Sequence, residues 1–207
     1  MKIDWVPYSA AALVAGSVAL ATGWLLMPTI GDPVDSLRIV QEHDGRWLVV
    51  AAMYFGAAIA MTLGLPTVLT LLGPRGAKRG LVGAGLLAVG FIGTAGYAML
   101  LVLFRALALN GSIDGDRLGT LTDDVGLVSF LYSWIAAFYV GELLLAWALL
   151  LARSTPRWVP ALLLLHVLSL PVSTLLPPQL SAAAVLLVAI GFCGIGITAS
   201  NQVRLAH

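Results

Sequence analysis

The chain has 207 residues, of which 60% are apolar and only 10% are charged, and its mean hydropathy is +0.99. This composition excludes a soluble globular domain. The net charge of +1 gives no indication of a nucleic-acid partner, and a single cysteine, Cys193, excludes an intrachain disulfide or a CxxC redox motif.

Long apolar runs follow one another along the chain, at residues 8–30, 47–73, 80–104, 125–152, 157–176 and 178–200. A bilayer's hydrocarbon core is ~30 Å thick and is crossed by about 20 helical residues. Each run meets or nearly meets that length. The sequence therefore predicts one all-α domain over residues 1–207, a polytopic membrane protein with six transmembrane helices.

The loops between these runs alternate in charge. Lys and Arg lie at 74–79, at 153–157 and in the tail, whereas the loops 31–46 and 106–124 are rich in Asp. Because cytoplasmic loops carry an excess of Lys and Arg, both termini are predicted inside and the two acidic loops outside. The excess of Arg over Lys is typical of a GC-rich bacterial genome, so we expect the inner (plasma) membrane of a bacterium.

The first acidic loop is predicted to contain a short external helix. Asp32 can cap it, Pro33 suits its first position, and Gly45 is expected to end it. An apolar face indicates that this helix lies on the outer membrane surface. That face comprises Val34, Leu37 and Val40.

The second acidic loop contains two strong turn signals, Asn110-Gly111 and Asp114-Gly115, and is predicted to be irregular. Thr122, Asp123 and Asp124 follow it and are expected to form the cap and acidic first turn of the fourth span.

Small residues indicate which spans pack closely, since helices in lipid associate where their backbones can approach. Spans one, three and six carry such faces, which could also support homo- or hetero-oligomers. The residues are Ala15, Ala19 and Gly23; Gly80, Gly83, Ala84, Ala88 and Gly90; and Ala182, Ala183, Ala184, Gly191, Gly194 and Gly196.

Glu142 is the only acidic residue well inside a span, where a charge costs several kcal/mol and tends to face the bundle interior. At 100° per residue it shares a polar-aromatic stripe of the fourth span. Two interpretations are open: a structural hydrogen bond to another helix, or a proton site within a pocket. The stripe comprises Asp124, Val128, Tyr132, Ile135 and Tyr139.

His166 is the only histidine inside a span. The short turn between spans four and five makes them antiparallel neighbours, which sets His166 and Glu142 at the same depth. A facing pair in apolar surroundings is suited to proton transfer, or it is a purely structural pair. Ser169 and Ser173 share the histidine's face, and Pro171 would free a backbone carbonyl nearby. Pro66 in span two is expected to do likewise, making a cavity plausible.

Other charged groups have simpler interpretations. Arg105 is expected to pair with Asp123 or Asp124 across the second loop as a structural latch. His43, between Glu42 and Asp44, fits no metal-ligand spacing, and one intramembrane histidine cannot supply a bis-His haem site, so we predict no metal and no cofactor.

The layout resembles a broad group of bacterial six-span proteins, those of the domain of unknown function 4386 type. The likeness lies in the acidic first loop, the Gly-Pro-Arg turn at 73–75, the Ser-Thr-Pro-Arg-Trp-Val-Pro turn at 154–160 and the Leu-Leu-Pro-Pro exit at 175–178. This group implies no activity. In size, span count and the buried Glu142, the chain is also distantly similar to small integral-membrane terpene cyclases, which use buried carboxylates.

The leading hypothesis is a bundle that encloses an amphiphilic or isoprenoid-like ligand and isomerises it by acid–base chemistry. Glu142, kept neutral by burial, would protonate an alkene or epoxide with His166 as its partner. Tyr132, Trp134 and Tyr139 would stabilise a carbocation through their ring faces, and Asp124, Ser169 and Ser173 complete the expected binding residues. The rivals are a small transporter, a sensor or an accessory subunit, and a purely structural partner of another membrane protein.

Overall fold

The computed structural model describes residues 4–28, 32–172 and 178–205. Within these ranges the chain is all-helical, as predicted, and its helices follow in the order α1 (Val6–Leu26), α2 (Pro33–Glu42), α3 (Asp44–Thr70), α4 (Ala77–Leu109), α5 (Gly115–Thr122), α6 (Val125–Ala152), α7 (Trp158–Val172) and α8 (Pro178–Leu205).

Five of the described helices are long and apolar enough to cross a membrane, judged by length and composition: α1, α3, α4, α6 and the 183–205 part of α8. Helix α7 is also apolar but has 15 residues. At 1.5 Å per residue it is about 22 Å long, which is less than the hydrocarbon thickness. The last four residues of the fifth predicted run, 173–176, lie outside the described ranges.

The long helices form a ring in which each packs on the next. Helix α1 packs on α3, α3 on α4, α4 on α6, α6 on α7 and α7 on α8, and α8 closes the ring by packing on α1. The apolar core inside contains residues of all six. Phe91 of α4 meets Phe192 of α8 across the ring, with ring centroids 6.2 Å apart. The centre at this level is therefore filled by side chains.

Glycine allows the tightest helix crossings. At the α4–α6 crossing, a Cβ built on Gly83 would lie 2.9 Å from the carbonyl oxygen of Gly141, and one on Gly141 would lie 2.8 Å from that of Gly83. At the α1–α3 crossing, a Cβ on Gly64 would lie 2.7 Å from Cα of Leu13. These backbones touch because no side chain separates them.

The predicted small-residue face of α4 packs within this chain, and that of α8 packs through its glycines, whereas Ala183 is exposed and the side chain of Ala182 lies outside the description. Gly80, Gly83, Ala84 and Gly90 are buried on α4, as are Gly191, Gly194 and Gly196 on α8. The prediction for the first helix is only partly right, because Ala15 is exposed and α1 packs instead through Gly16 and Ser17. Whether such faces also bind another chain stays a prediction.

Pro66 lies within α3, and a side chain of the neighbouring helix α1 forms hydrogen bonds with the α3 backbone beside it. The Ser9 hydroxyl of α1 donates to the Leu63 carbonyl at 2.7 Å and accepts from the Thr67 amide at 3.3 Å. It is inserted where those two groups would normally bond each other. Pro66 therefore marks an α1–α3 contact. It does not border the space around Glu142, which lies between α6 and α7.

The acidic segments gather at one end of the bundle, which we call the acidic end. The Gln41 side chain donates to the carbonyl of Ala108 at 3.0 Å, and Val34 of α2 lies against Gly115 of α5. Asp32 caps α2 by accepting from the Asp35 amide at 2.8 Å, as predicted.

Two details of α2 differ from the prediction. The helix ends at Glu42, and Gly45 lies in the first turn of α3, because α3 begins directly after His43. On its apolar face Val40 is fully buried in a cluster around Trp47, whereas Val34 is exposed. Val40 therefore packs on the bundle and does not face lipid.

The second acidic loop is not irregular. Asp114 accepts a hydrogen bond from the Arg117 amide at 2.8 Å and starts α5, which ends at Thr122. Thr122 therefore does not open the next helix. Asp124 alone caps α6, accepting from the Leu127 amide at 2.7 Å.

The opposite, basic end joins the 71–76 turn, the 153–157 turn and the last turns of α8. The Gln202 side chain donates to the carbonyl of Ser154 at 3.1 Å, and Gly76 packs on the backbone of Ala148. Positive residues face solvent here: Arg75, Lys78, Arg79, Arg153, Arg157 and Arg204.

Candidate functional site

Glu142 lies in the middle of α6 and has no exposed surface. It follows Gly141, whose contact with Gly83 draws α6 tightly onto α4. The carboxyl group is turned toward α7, the antiparallel neighbour joined to α6 by the short 153–157 turn. Among the described residues it is the one acidic side chain within the apolar core.

His166 of α7 meets this carboxyl group, as the depth argument predicted. Its Nδ1 lies 2.8 Å from Oε2 of Glu142, and the histidine side chain is 9% exposed. Because water is excluded from this contact, the hydrogen bond is stronger than its equivalent at the surface.

Aromatic rings hold the imidazole in place. Tyr139, one turn before Glu142 on α6, stacks on it with centroids 5.3 Å apart and planes 19° from parallel. Phe138 meets its edge at 6.3 Å and 90°, and Phe138 also packs edge-on against Phe91. The pair is thereby tied to the aromatic centre of the ring.

Each partner keeps one polar atom free. Oε1 of Glu142 is buried and has no hydrogen-bond partner within the described part of the chain. Nε2 of His166 likewise bonds to no described residue, since the contact with Glu142 is its single polar interaction in the described ranges. An unpartnered buried carboxyl oxygen costs ~1–3 kcal/mol, so Oε1 calls for an explanation.

The other predicted binding residues are not all brought to the pair. Tyr139 is adjacent to it. Trp134 packs between α6 and α4, against Gly93 and with its ring centroid 6.4 Å from that of Tyr97. Tyr132 is 66% exposed and points out of the bundle.

The remaining positions are also apart from the carboxyl group. Ser169 donates to the carbonyl of His166 at 2.6 Å, within its own helix, and Asp124 caps α6 at the acidic end. Ser173 lies outside the described residues, and Pro171 is exposed near the end of α7.

The different lengths of α6 and α7 explain why the polar stripe does not stay buried. Val172, the last residue of α7, lies six positions beyond His166 and is therefore level with Ala136, six positions before Glu142. Earlier residues of α6 have no α7 turn beside them. Tyr132 is therefore uncovered, whereas Tyr139 is half-buried against His166.

Arg105 does not pair with Asp123 or Asp124. Its guanidinium contacts the Asp44 carboxylate at 2.6 Å and the Asp44 carbonyl at 3.3 Å. Helix α4 runs to Leu109, beyond the predicted 104, so Arg105 lies inside the helix and level with the start of α3. The latch therefore joins α4 to α3.

No group of three His, Cys, Asp or Glu side chains within the described ranges is placed to hold a metal ion. Described residues border a surface depression beside α5 at the acidic end and another at the α6–α7 turn. Neither is lined by Glu142 or His166.

These features define the class of protein: an all-helical, membrane-type bundle with a buried carboxyl–imidazole pair. No protein-family model, no curated protein and no solved structure matches the chain. Its function is therefore argued from the site itself.

Proposed function

We propose that this protein is a six-span integral membrane protein of the bacterial inner membrane, with both termini and the basic end in the cytoplasm. Helix α7 would belong to the fifth crossing. The gathering of basic segments at one end of the bundle and acidic segments at the other supports this orientation, by the rule that Lys and Arg remain cytoplasmic. Helix α2 would then lie at the outer surface.

We infer that Glu142 and His166 form an acid–base site for an amphiphilic or isoprenoid-like ligand, as in a terpene cyclase-like isomerase. One observation carries this proposal. Oε2 and Nδ1 lie 2.8 Å apart, whereas neither Oε1 nor Nε2 has a hydrogen-bond partner among the described residues. The pair is thus oriented by one hydrogen bond and keeps one proton donor and one proton acceptor for a ligand.

The proposed isomerisation consists of proton transfers and needs no oxidant, reductant or other co-reactant. With both groups neutral, Nδ1–H of His166 donates to Oε2, and the acidic proton of Glu142 is on Oε1. Transfer of that proton to an alkene carbon leaves a carboxylate and a carbocation. Loss of a neighbouring proton from the cation to Nε2 forms an isomer of the substrate. The Nδ1 proton then crosses to Oε2, which leaves both groups neutral with their protons on Oε2 and Nε2. Exchange of these protons with water returns them to Oε1 and Nδ1 before the next turnover.

Tyr139 is positioned to assist, because an aromatic face stabilises a nearby cation. The ligand would approach from the lipid, between α6 and the end of α7, where Tyr132 and Pro171 are exposed. The stacked Tyr139 ring would have to move for a substrate to reach Oε1.

A second candidate function is a non-catalytic transporter, sensor or accessory subunit in which the pair is a structural latch. The packing favours it: Glu142 has no exposed surface, and Phe138, which packs against His166, is itself packed against Phe91.

Deuterium labelling distinguishes the two functions. Proteoliposomes in D2O are incubated with a panel of isoprenoid alkenes and epoxides, and the products are analysed by mass spectrometry. An acid–base isomerase yields isomers of the alkenes that carry carbon-bound deuterium. Glu142→Gln, which keeps the shape but lacks the transferable proton, should abolish them.

The matched control is Glu42→Gln, because Glu42 is an exposed carboxylate at the acidic end. It should leave conversion unchanged. Full conversion by Glu142→Gln would overturn the acid–base proposal, and no conversion by the wild-type protein would favour the structural latch.

A further inference from the structure

The depression at the α6–α7 turn combines charge with apolar walls. It is bordered by Arg153, Thr155 and Arg157, and by Leu149, Leu150 and Pro160. Its volume is about 480 Å³. It lies at the basic end of the bundle, beside the exposed first residue of α7, Trp158.

The two guanidinium groups at this depression are unpaired. Neither Arg153 nor Arg157 forms an ion pair or side-chain hydrogen bond with any part of the chain that the structure describes. The two acidic loops are at the opposite end, and Asp4, the acidic residue described at this end, accepts a hydrogen bond from the Val6 amide. Two positive charges border one partly apolar concavity and remain available to an anion.

The backbone at Arg153 is itself unusual. Arg153 ends α6 with φ 53° and ψ 29°, in the left-handed region that glycine adopts most readily. It is the one non-glycine residue with positive φ among the described residues. The chain therefore keeps an arginine where glycine would be less strained, and strained positions of this kind cluster at binding sites.

The side-chain oxygen of Thr155 adds hydrogen-bonding capacity. Thr155 Oγ1 is buried and bonds to no other described residue, so rotating it toward the depression would break no hydrogen bond within the described ranges. The apolar walls continue from Pro160 onto the lipid-facing sides of α6 and α7, where Leu150 is exposed.

We propose that this depression binds the phosphate of an anionic glycerophospholipid. Arg153 and Arg157 contact the phosphodiester, Thr155 donates to one of its oxygens, and the glycerol and first acyl carbons pack on Leu149, Leu150 and Pro160. Trp158 lies at the depth of the headgroups, where tryptophan is enriched. Basic pockets between helix ends are known to suit such headgroups.

Lipid binding to the full-length protein tests this site. The protein is purified in a neutral detergent, and binding of phosphatidylglycerol, phosphatidylcholine and inorganic phosphate is measured by native mass spectrometry and thermal shift. We expect selective binding of phosphatidylglycerol. Arg153→Gln with Arg157→Gln should weaken it roughly 10- to 30-fold, at about 1 kcal/mol for each charge.

The charge-matched control is Arg75→Gln with Arg79→Gln, which removes two basic-end charges outside the depression. It should leave binding within about twofold of the wild-type protein. An equal loss in the control would overturn the site in favour of a diffuse charge effect. Equal binding of phosphatidylcholine, or equal stabilisation by inorganic phosphate, would overturn the anionic-lipid assignment.

Arg153→Gly guards against a folding artefact. Because glycine suits the left-handed backbone better, this variant should fold and unfold at or above the wild-type temperature. Its phosphatidylglycerol affinity should nevertheless fall about fivefold, and unchanged affinity would contradict the role of Arg153.

Discussion

At the scale of single residues, the Glu142–His166 contact places a carboxyl group and an imidazole together inside the apolar core. Removing one partner is expected to cost more than removing both, because the survivor is left buried without its hydrogen bond. The difference in unfolding free energy between the single and the double variants measures how much the contact contributes to the fold.

Glu142→Leu should destabilise the bundle by ~1–3 kcal/mol, since Nδ1 of His166 loses its acceptor. Glu142→Gln should cost less, because its amide oxygen can still accept from Nδ1–H. Reversible unfolding in mixed detergent, followed by circular dichroism, provides the measurement.

The double variant Glu142→Leu with His166→Leu completes the cycle and should recover part of the loss. If Glu142→Leu were as stable as the wild-type protein, the contact would contribute nothing to the fold.

The sequence was sufficient to predict this pair because a short turn fixes the relative depth of two antiparallel helices. It was insufficient for Arg105, because that prediction depended on where α4 ends. The apolar run stops at 104, but the helix continues through Ala106 and Leu107 to Leu109. That extension moves the guanidinium from the second loop to the start of α3 and so changes its partner to Asp44.

At the scale of helices, close packing depends on particular glycines and not on glycine content. Helix α4 carries Gly83 and Gly85 two positions apart, on different faces. The first contacts the backbone of α6, and the second has open space around it.

Gly83→Ala should destabilise the protein by ~1–3 kcal/mol, because the new methyl group would lie 2.9 Å from backbone atoms of Gly141 and Leu145, which cannot rotate away. Gly85→Ala is the matched control and should be neutral or stabilising by up to about 1 kcal/mol, since alanine favours the helix. The unfolding transition of each variant checks this difference. Equal effects of the two substitutions would contradict the α4–α6 crossing.

The start of α2 was predictable because one capping side chain, Asp32, decides it. At the start of α6 the prediction used Thr122, Asp123 and Asp124 together, whereas Asp124 alone caps the helix. Helix boundaries were not predictable where the residues of a turn signal also form a helix cap. Asp114-Gly115 suggests a turn, but the Asp114 carboxylate caps a helix that Gly115 begins. The hydrogen bonds from Ser9 to the α3 backbone could not be predicted either, because predicting them requires knowing that α1 packs beside Pro66.

At the scale of the whole molecule, the two ends of the bundle differ in charge, and the proposed orientation follows from that difference. The acidic end is held together by α2, α5 and the Arg105–Asp44 contact, and the basic end by the Gln202–Ser154 contact. Both ends offer exposed positions for chemical labelling.

In a Cys193→Ala background, Ser112→Cys should react with an impermeant thiol reagent in intact cells, and Lys78→Cys should react only after lysis. Both positions are exposed, so differences in labelling report the side of the membrane. Gly76 in the same basic turn is unsuitable, because a Cβ there would lie 2.6 Å from the carbonyl oxygen of Ala148. The reverse labelling pattern would invert the orientation.

The packing of α1 on α8 has a consequence for biosynthesis. Gly196 of α8 lies against the carbonyl of Ala10, and Cys193 lies 3.2 Å from the Ser17 hydroxyl, so α1 acquires its final neighbour only when α8 has been made. At ~5–20 residues per second, the ribosome needs roughly 10–35 s to pass from one helix to the other. During that interval the small-residue side of α1 faces lipid, the insertion machinery or a membrane chaperone. Slow translation or a nascent chain stalled before α8 would therefore prolong an open, protease-sensitive intermediate.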